Sequence, residues 1–312
     1  MKFLIIGGTR FQGQFLVNEL LDSGHAVTVF HRGTNKISPR IGLTDMLGNR
    51  DTPSDLARLT GLQFDACIDT CAYVPNQISL LSSVLSTKNY CLISSVYVYF
   101  DQDKLLHEKA PVVHHPQSRT ILNEENYGAL KALCEQEALI RFGSKSLILR
   151  PSVIIGVGDH TERLQFWVRL IGSHGRRLNI LGKVSPIQPV DVRDLVNFTV
   201  RCIENKRSGP VNVCGEPISL SSLFDGITTV AQKDCEERAI YLEDLSDLGL
   251  NKLPYCTDAR LARYDTQLSE SWGYTRRNLQ NSITEIFDHA KKQGFKPTGF
   301  QNEEEAVLRL FF

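Results

Sequence analysis

The chain has 312 residues, 42% of them apolar, which is enough for a sizeable core, and its 35 basic and 35 acidic side chains cancel. A neutral total argues against general nucleic-acid binding, which rests on Lys and Arg neutralising phosphates. The first apolar run covers only residues 1–6, and no stretch approaches the ~18 apolar residues of a membrane span. The expectation is a soluble, cytoplasmic protein with no membrane partner.

Residues 1–6, MKFLII, form a short strand-type run, and GGTRFQG follows at 7–13. From Gln14 to Ser23 the period changes, with Phe15, Leu16, Leu20 and Leu21 on one helical face. A second apolar run, AVTVF, occupies 26–30. Strand, glycine turn, helix and strand within about 30 residues make a βαβ unit. Glycines let a backbone approach a pyrophosphate, and a helix N-terminus supplies N–H groups and a positive dipole end. The turn therefore reads as a dinucleotide loop.

Further strand-type runs are TDMLGN at 44–49, DACID at 65–69, YCLISS at 90–95 and SLILRPSVI at 146–154. Helical stretches fall between them at 54–60, 76–86 and 126–141. This alternation predicts a parallel sheet with helices on both faces, joined by right-handed crossovers. The pattern then loosens. A helical segment at 161–173 precedes an edge-type strand, RLNIL, at 177–181; a helix from Val192 to Glu204 precedes a strand, PVNVCG, at 210–215. Residues 220–232 read as a helix, YLEDL at 241–245 opens a poorly ordered pattern, and helices cover 278–293 and 302–312. The expected division is a dinucleotide-binding domain over 1–155 and a mainly substrate-binding lobe over 156–312. Segments around 185–215 are expected to return to the first domain. The eight cysteines are scattered without a CxxC pair and read as reduced thiols. Neither Cys67 and Cys71 nor His114, His115, His160 and His174 have metal-site spacing, so no metal is expected.

Two segments carry the chemistry. ISSVYVY, 93–99, lies at the end of the fifth strand, and ENYGALKALCE, 125–135, places Tyr127 and Lys131 four apart on one helical face. An ammonium beside a phenol favours the phenolate and makes tyrosine a usable acid/base near neutral pH. A serine hydroxyl from the neighbouring strand can bond a substrate oxygen. Together they can move a proton on or off a carbinol oxygen while a nicotinamide exchanges hydride.

With GGTRFQG (7–13), HRG (31–33), GNRD (48–51), DTCAY (69–73), SSVYVY (94–99), YGALK (127–131), RPSVIIGVGD (150–159) and PVDVRDL (189–195), the chain resembles the extended short-chain dehydrogenases/reductases, the NAD-dependent epimerase/dehydratase family. The resemblance covers most of the chain. Its GGTRF form is similar to a subgroup holding bacterial epimerase-like reductases and chloroplast stem-loop RNA-binding proteins. It implies a Rossmann-type doubly wound parallel sheet with a smaller, interleaved α/β substrate lobe. Carried over by position, Tyr127 would be the catalytic acid/base, Lys131 its activator and a holder of the nicotinamide ribose, and Ser95 the oxygen-binding hydroxyl. Gly7, Thr9, Arg10, Phe11 and Gly13 would surround the pyrophosphate. Asn49 and Arg50 would sit by the adenine, Thr70, Cys71 and Ala72 would line the cofactor, and Pro151 and Val153 would pass near the nicotinamide. Ser94, Tyr97, Arg163 and Arg169 are the candidate substrate contacts, with either arginine reaching a diphosphate. Trp167 reads as helix core.

Three departures sharpen the expectation. Arg10 replaces the family's usual middle glycine, and His31 and Arg32 stand where an acid commonly binds the adenosine ribose. Both put positive charge where a 2′-phosphate would lie, which favours NADP over NAD. Val96 and Tyr97 replace the Asp-Glu pair of the family's 4,6-dehydratases, which argues against that reaction. The leading expectation is an NAD(P)-dependent, epimerase-like oxidoreductase or isomerase acting on a hydroxyl or ketone of a nucleotide sugar. A ketone reductase on a non-sugar metabolite is the rival enzyme. A non-catalytic dinucleotide-binding module for RNA or protein is the rival class. The resemblance also implies a homodimer through paired helices, although the apolar residues on 76–86 and 126–141 can equally face the sheet.

Overall fold

The computed structural model describes residues 1–100, 104–113, 118–256 and 263–312; His114 and His115 lie outside the described residues. Seven strands build one parallel sheet: β1 (Lys2–Ile6), β2 (Ala26–His31), β3 (Leu43–Leu47), β4 (Gln63–Asp69), β5 (Ser86–Ile93), β6 (Ser146–Pro151) and β7 (Gly209–Val213). In space the order is β7, β6, β5, β4, β1, β2, β3. The chain runs outward from β1 to β3, then returns to start β4 on the other side of β1. Ile6 thus stands between Phe30 and Asp69. That reversal of strand order opens a crevice at the carboxyl ends of β1 and β4, the place where open α/β sheets bind ligands.

The central strands are buried on both faces, which is why they read as apolar runs rather than alternating ones, while the edge strand β3 has no buried residue. Phe3 and Ile5 pack with Leu16 and Leu20 of the Gln12–Asp22 helix and with Val196 and Ile203 of the Val192–Glu204 helix. On the opposite face Leu4, Ile6, Phe30 and Tyr90 pack with Ile78 and Leu81 of the Pro75–Ser82 helix and with Cys134 and Ala138 of the Tyr127–Phe142 helix. The doubly wound architecture is therefore present, and β7 brings residues 209–213 back into the main sheet.

A second core lies outside this sheet. It joins Phe166 and Trp167 of the Arg163–Gly172 helix, Leu223 and Phe224 of the Leu220–Ala231 helix, and Ile283, Ile286 and Phe287 of the Leu279–Lys292 helix. Trp167 is fully buried, and its indole N–H donates to the Pro254 carbonyl at 3.1 Å. Beside these helices Arg176–Leu181 pairs in parallel with Glu236–Tyr241.

Several boundaries differ from the sequence reading. The ordered partner of the 176–181 strand lies at 236–241, just before YLEDL, and its EERAIY sequence is mostly exposed. With one apolar side chain buried, it carries almost no period-2 signal. The run at 146–154 ends as a sheet strand at Pro151; Ile154–Ile155 pair instead with Val190–Asp191. Proline lacks the N–H that would continue the ladder. The helix expected at 76–86 stops at Ser82, and β5 already begins at Ser86. All eight cysteines are free thiols. Among the described residues no helix is long and apolar enough to cross a membrane.

Candidate active site

The glycine turn sits at the head of the crevice. Gly7 has φ +95°, and a Cβ there would stand 2.5 Å from Thr70 Oγ1 and 3.1 Å from Cys71 Sγ. A Cβ on Gly13 would meet the Gly8 Cα at 2.6 Å. A side chain at Gly7 would run into the β4 loop, and one at Gly13 would push the helix off the Gly8 backbone. The helix after the turn begins without a side-chain cap and without an acid in its first turn. The Gly13 and Gln14 N–H groups are taken by the Arg10 and Phe11 carbonyls, so it is the positive dipole end of the helix that can face an anion. These features fit a dinucleotide pyrophosphate. Phe11 shapes the turn from below: it is buried, adopts φ +34° and meets Phe15 edge-on at 6.3 Å. Its ring belongs to the core, so only its backbone faces the turn. Thr9 is half-buried, and Arg10 is exposed.

At the end of β2 the expected pair divides. Arg32 is exposed, but His31 is buried. One His31 ring nitrogen, Nε2, lies 2.6 Å from Asp45 Oδ1, and the other, Nδ1, accepts the Gly33 N–H at 3.1 Å. His31 is therefore committed within the fold. Asn49 accepts the Asp51 N–H on its side chain and donates its own N–H to Asp55.

Arg50, expected by the adenine, points inward instead. Its guanidinium makes two parallel bonds to Asp69, at 2.6 and 2.8 Å, and both residues are buried. The Tyr90 hydroxyl donates to the same carboxylate at 2.9 Å, and the Cys71 N–H donates to it at 3.2 Å. Burial works against the Asp69 charge, but Arg50 and these donors override it and hold the carboxyl below its usual range. The pair anchors the loop of Thr70, Cys71 and Ala72. The Thr70 hydroxyl in turn donates to the Ile6 carbonyl at 2.9 Å, next to Gly7.

The structure brings Ser95, Tyr127 and Lys131 together where β5 meets the Tyr127–Phe142 helix. Ser95 caps the short turn Val96–Val98, and its oxygen accepts the Tyr97 N–H at 3.2 Å. A Cβ on Gly128 would fall 2.1 Å from the Tyr97 carbonyl oxygen. Glycine after Tyr127 is what lets the helix touch that turn. Tyr127 is half-buried, its ring edge-on to Tyr97 at 6.1 Å. Lys131 is buried; its ammonium donates to the carbonyls of Ala72 at 2.9 Å and Ile93 at 2.6 Å, and sits 5.6 Å from the Tyr73 ring centroid. Pro151 is buried at the end of β6, and Val153 is half-buried just beyond it.

Two expected substrate contacts are drawn into the protein. Ser94 donates to Glu135 at 2.6 Å, and Glu135 is ion-paired with Arg150 at 2.6 Å, all of it buried. Arg169 is 2% exposed and bonds Glu162 at 2.7 Å, Glu304 at 2.8 Å and the Gly299 carbonyl at 2.8 Å. It ties the C-terminal helix to the second core. Arg163, at the start of its helix, remains exposed, and Tyr97 stays at the crevice. Sequence reasoning missed Gly128, Glu135, Arg150 and Tyr73. Glu135 carried a usable signal, since it continues the Tyr127–Lys131 stripe by another four residues.

Replacing Arg50 by Met would strand the Asp69 carboxylate. The expected loss is about 3–5 kcal/mol at pH 7, read by urea unfolding. In the wild type the contribution of Asp69 is complete above the unfolded carboxylate range, about 3.9. It is lost as pH falls through the lower folded value. In Arg50→Met, burial is opposed only by the Tyr90 and Cys71 donors and raises the carboxyl, so stability should improve from pH 7 to pH 5. A variant with flat stability over that interval contradicts this account.

No family model matches the chain. It is 25% identical over 251 residues to the chloroplast stem-loop binding protein of 41 kDa b of Arabidopsis thaliana, covering 74% of this chain. The chain spans 62% of that relative's length. Among solved structures it is similar to the Bordetella bronchiseptica enzyme WbmG in complex with NAD, at 16% identity and a TM-score of 0.73, covering 94% of this chain and 95% of the other. For the UDP-glucuronic acid 4-epimerase of Bacillus cereus in complex with NAD the figures are 14%, 0.71, 94% and 97%. For the dTDP-glucose 4,6-dehydratase of Bacillus anthracis in complex with NAD they are 14%, 0.72, 95% and 98%. The chain thus has the fold of the extended short-chain dehydrogenases/reductases.

Proposed function

We propose that the chain is an NAD(P)-dependent oxidoreductase of the epimerase-like kind, acting on a carbinol or ketone of a nucleotide sugar. The carrying observation is the set of contacts around Ser95 and Tyr127: the Ser95 oxygen accepts the Tyr97 N–H, and the Tyr97 ring stands edge-on to Tyr127. When bound, a nicotinamide supplies the hydride acceptor or donor. The Tyr127 hydroxyl exchanges a proton with the carbinol oxygen. Ser95 accepts the Tyr97 N–H, which aligns its oxygen and leaves its own O–H to donate to the same substrate oxygen. Lys131 holds the ends of β4 and β5 against the helix that carries Tyr127. The nucleotide-sugar assignment is supported by a fold shared at nearly full length with the epimerase and the dehydratase above. Arg10 and Arg32 are both exposed on the side of the crevice formed by the turn and the end of β2, which supports an adenosine 2′-phosphate there.

A second reading has one observation in its favour, the similarity to a stem-loop binding protein. Under it the chain binds a structured nucleic acid and turns nothing over.

Three measurements divide these readings. Tyr127→Phe should lower kcat by about 10²- to 10⁴-fold while leaving the cofactor Kd unchanged; a fully active variant sinks the assigned acid/base. In calorimetry NADP should bind more tightly than NAD, and Arg32→Ala or Arg10→Ala should weaken NADP by about tenfold or more without affecting NAD. Tighter NAD binding would remove the 2′-phosphate role and leave the enzyme reading standing. For a stem-loop RNA the nucleic-acid reading requires affinity that falls steeply and linearly in log–log salt plots; the enzyme reading expects weak binding.

A further inference from the structure

Tyr73 follows Thr70, Cys71 and Ala72 at the carboxyl end of β4. Its backbone is pinned. The Tyr73 N–H donates to Gln77 Oε1 at 2.8 Å, and the Gln77 amide in turn donates to Asp51 Oδ1 at 2.9 Å. The preceding carbonyl, that of Ala72, accepts from the Lys131 ammonium at 2.9 Å. That ammonium stands over the Tyr73 ring, 5.6 Å from its centroid. It also bonds the carbonyl of Ile93, two residues before Ser95, and lies one helical turn from Tyr127. The ring is therefore at the carboxyl ends of β4 and β5, beside the acid/base. It is not sealed there: Tyr73 is 37% exposed, whereas Lys131 beneath it is 2% exposed. Among the described residues no bond holds the phenol oxygen. A single exposed aromatic needs no explanation. One fixed at its backbone and on one face, with the rest of its ring open at a crevice, is a preformed contact surface. Tyrosine supplies such a surface at low entropic cost, having few side-chain torsions to freeze.

We propose that Tyr73 determines substrate specificity, the open part of its ring receiving the C–H face of a sugar ring on the reacting half of the substrate. The assignment rests on the oxidoreductase reading above. A tyrosine ring is negative on its faces and positive at its edge. The inner face is answered by the Lys131 ammonium, since a cation over an aromatic ring is attracted to it. The outer face suits the weakly positive C–H hydrogens of a sugar and disfavours a phosphate. Position decides which reactant lies there. In the sheet β5 separates β4 from β6. A nicotinamide beside Pro151 and Val153, at the end of β6, leaves the β4 side of the crevice to the other reactant. Tyr97 and Tyr127, edge-on at 6.1 Å, stand at the neighbouring strand end. This end of the crevice is thus lined by phenols, with its one cation turned beneath Tyr73. An aromatic lining with few polar groups holds a small ring by shape, and the Ser95 and Tyr127 hydroxyls orient it.

Tyr73→Phe keeps the ring, and Tyr73→Ala removes it. The probes are UDP-glucose and UDP, titrated by calorimetry onto the cofactor-loaded protein. UDP-glucose should bind Tyr73→Ala about three- to tenfold more weakly, with kcat/KM for its oxidation down by the same factor. Tyr73→Phe should retain the wild-type affinity. UDP, which lacks the reacting half, should bind all three proteins alike. If Tyr73→Ala does not fold, Tyr73→Leu covers Lys131 without an aromatic face and should show the same loss. Undiminished UDP-glucose affinity without the ring, a loss shared by Tyr73→Phe, or a matching loss for UDP would each overturn the assignment. So would a ring-deleted variant that no longer loads cofactor, which would give the ring to the dinucleotide. Wild-type protein that binds UDP-glucose without hydride transfer, and loses that affinity only when the ring is removed, would support Tyr73 while sinking the oxidoreductase reading. Wild-type protein that binds no UDP-glucose would overturn the role of Tyr73, and the oxidoreductase reading would then survive only if the protein still reduces a simple ketone.

Discussion

A buried ammonium holds the crevice together. Lys131 is 2% exposed, and its charge is tolerable only because the carbonyls of Ala72 and Ile93 accept from it. Ile93 is the last residue of β5, and Ala72 lies three residues past the end of the neighbouring β4. Lysine and strand ends satisfy one another, and leaving either carbonyl unpaired would cost about 1–3 kcal/mol. One helical turn later Glu135 accepts the Ser94 hydroxyl at 2.6 Å. A stripe of helix positions is thereby fastened, residue by residue, to the strand end that carries Ser95. Tyr127, one turn before Lys131, inherits its place from these bonds.

Three arginine–carboxylate pairs extend this logic. Arg50–Asp69 fixes the loop after β4, Arg150–Glu135 fixes the helix against β6, and Arg169–Glu304 fixes the C-terminal helix on the second core. Pairs this deep contribute little net stability, since desolvation offsets most of their attraction. What they impose is position. An ion pair tolerates neither a rotated loop nor a slipped helix, because either would bury an uncompensated charge.

The parts legible in sequence were those whose signal is local. The βαβ start, the glycine turn and the helix carrying Tyr127 and Lys131 each fit within a few residues, and those elements form where the sequence reading put them. The misplaced side chains share the opposite property. Arg50 meets a partner 19 residues away, Ser94 one 41 away and Arg169 one 135 away. An arginine written in a line gives no sign of whether it turns toward a ligand or toward a carboxylate in another element. His31 was misjudged for the same reason, since Asp45 lies on the adjacent strand. The strand at 236–241 escaped because an exposed, charged edge lacks hydrophobic alternation.

Backbone strain is distributed unevenly, and its distribution separates structural from functional need. Among the described residues, positive φ at Lys206, Gln232 and Phe295 follows the ends of helices. A left-handed residue is an ordinary way to finish a helix. Phe11, Glu162, Tyr255 and Phe300 have no such excuse: Phe11, Glu162 and Phe300 precede helices, and Tyr255 lies in a loop. Each costs of order 1–3 kcal/mol, and each has a side chain that the surroundings hold. Phe11 is locked into the core beneath the glycine turn. Glu162 is bonded to Arg169 and to the Gly299 N–H. Tyr255 is enclosed in the second core. Phe11 shapes the turn, and Glu162 sets where Arg163 starts its helix.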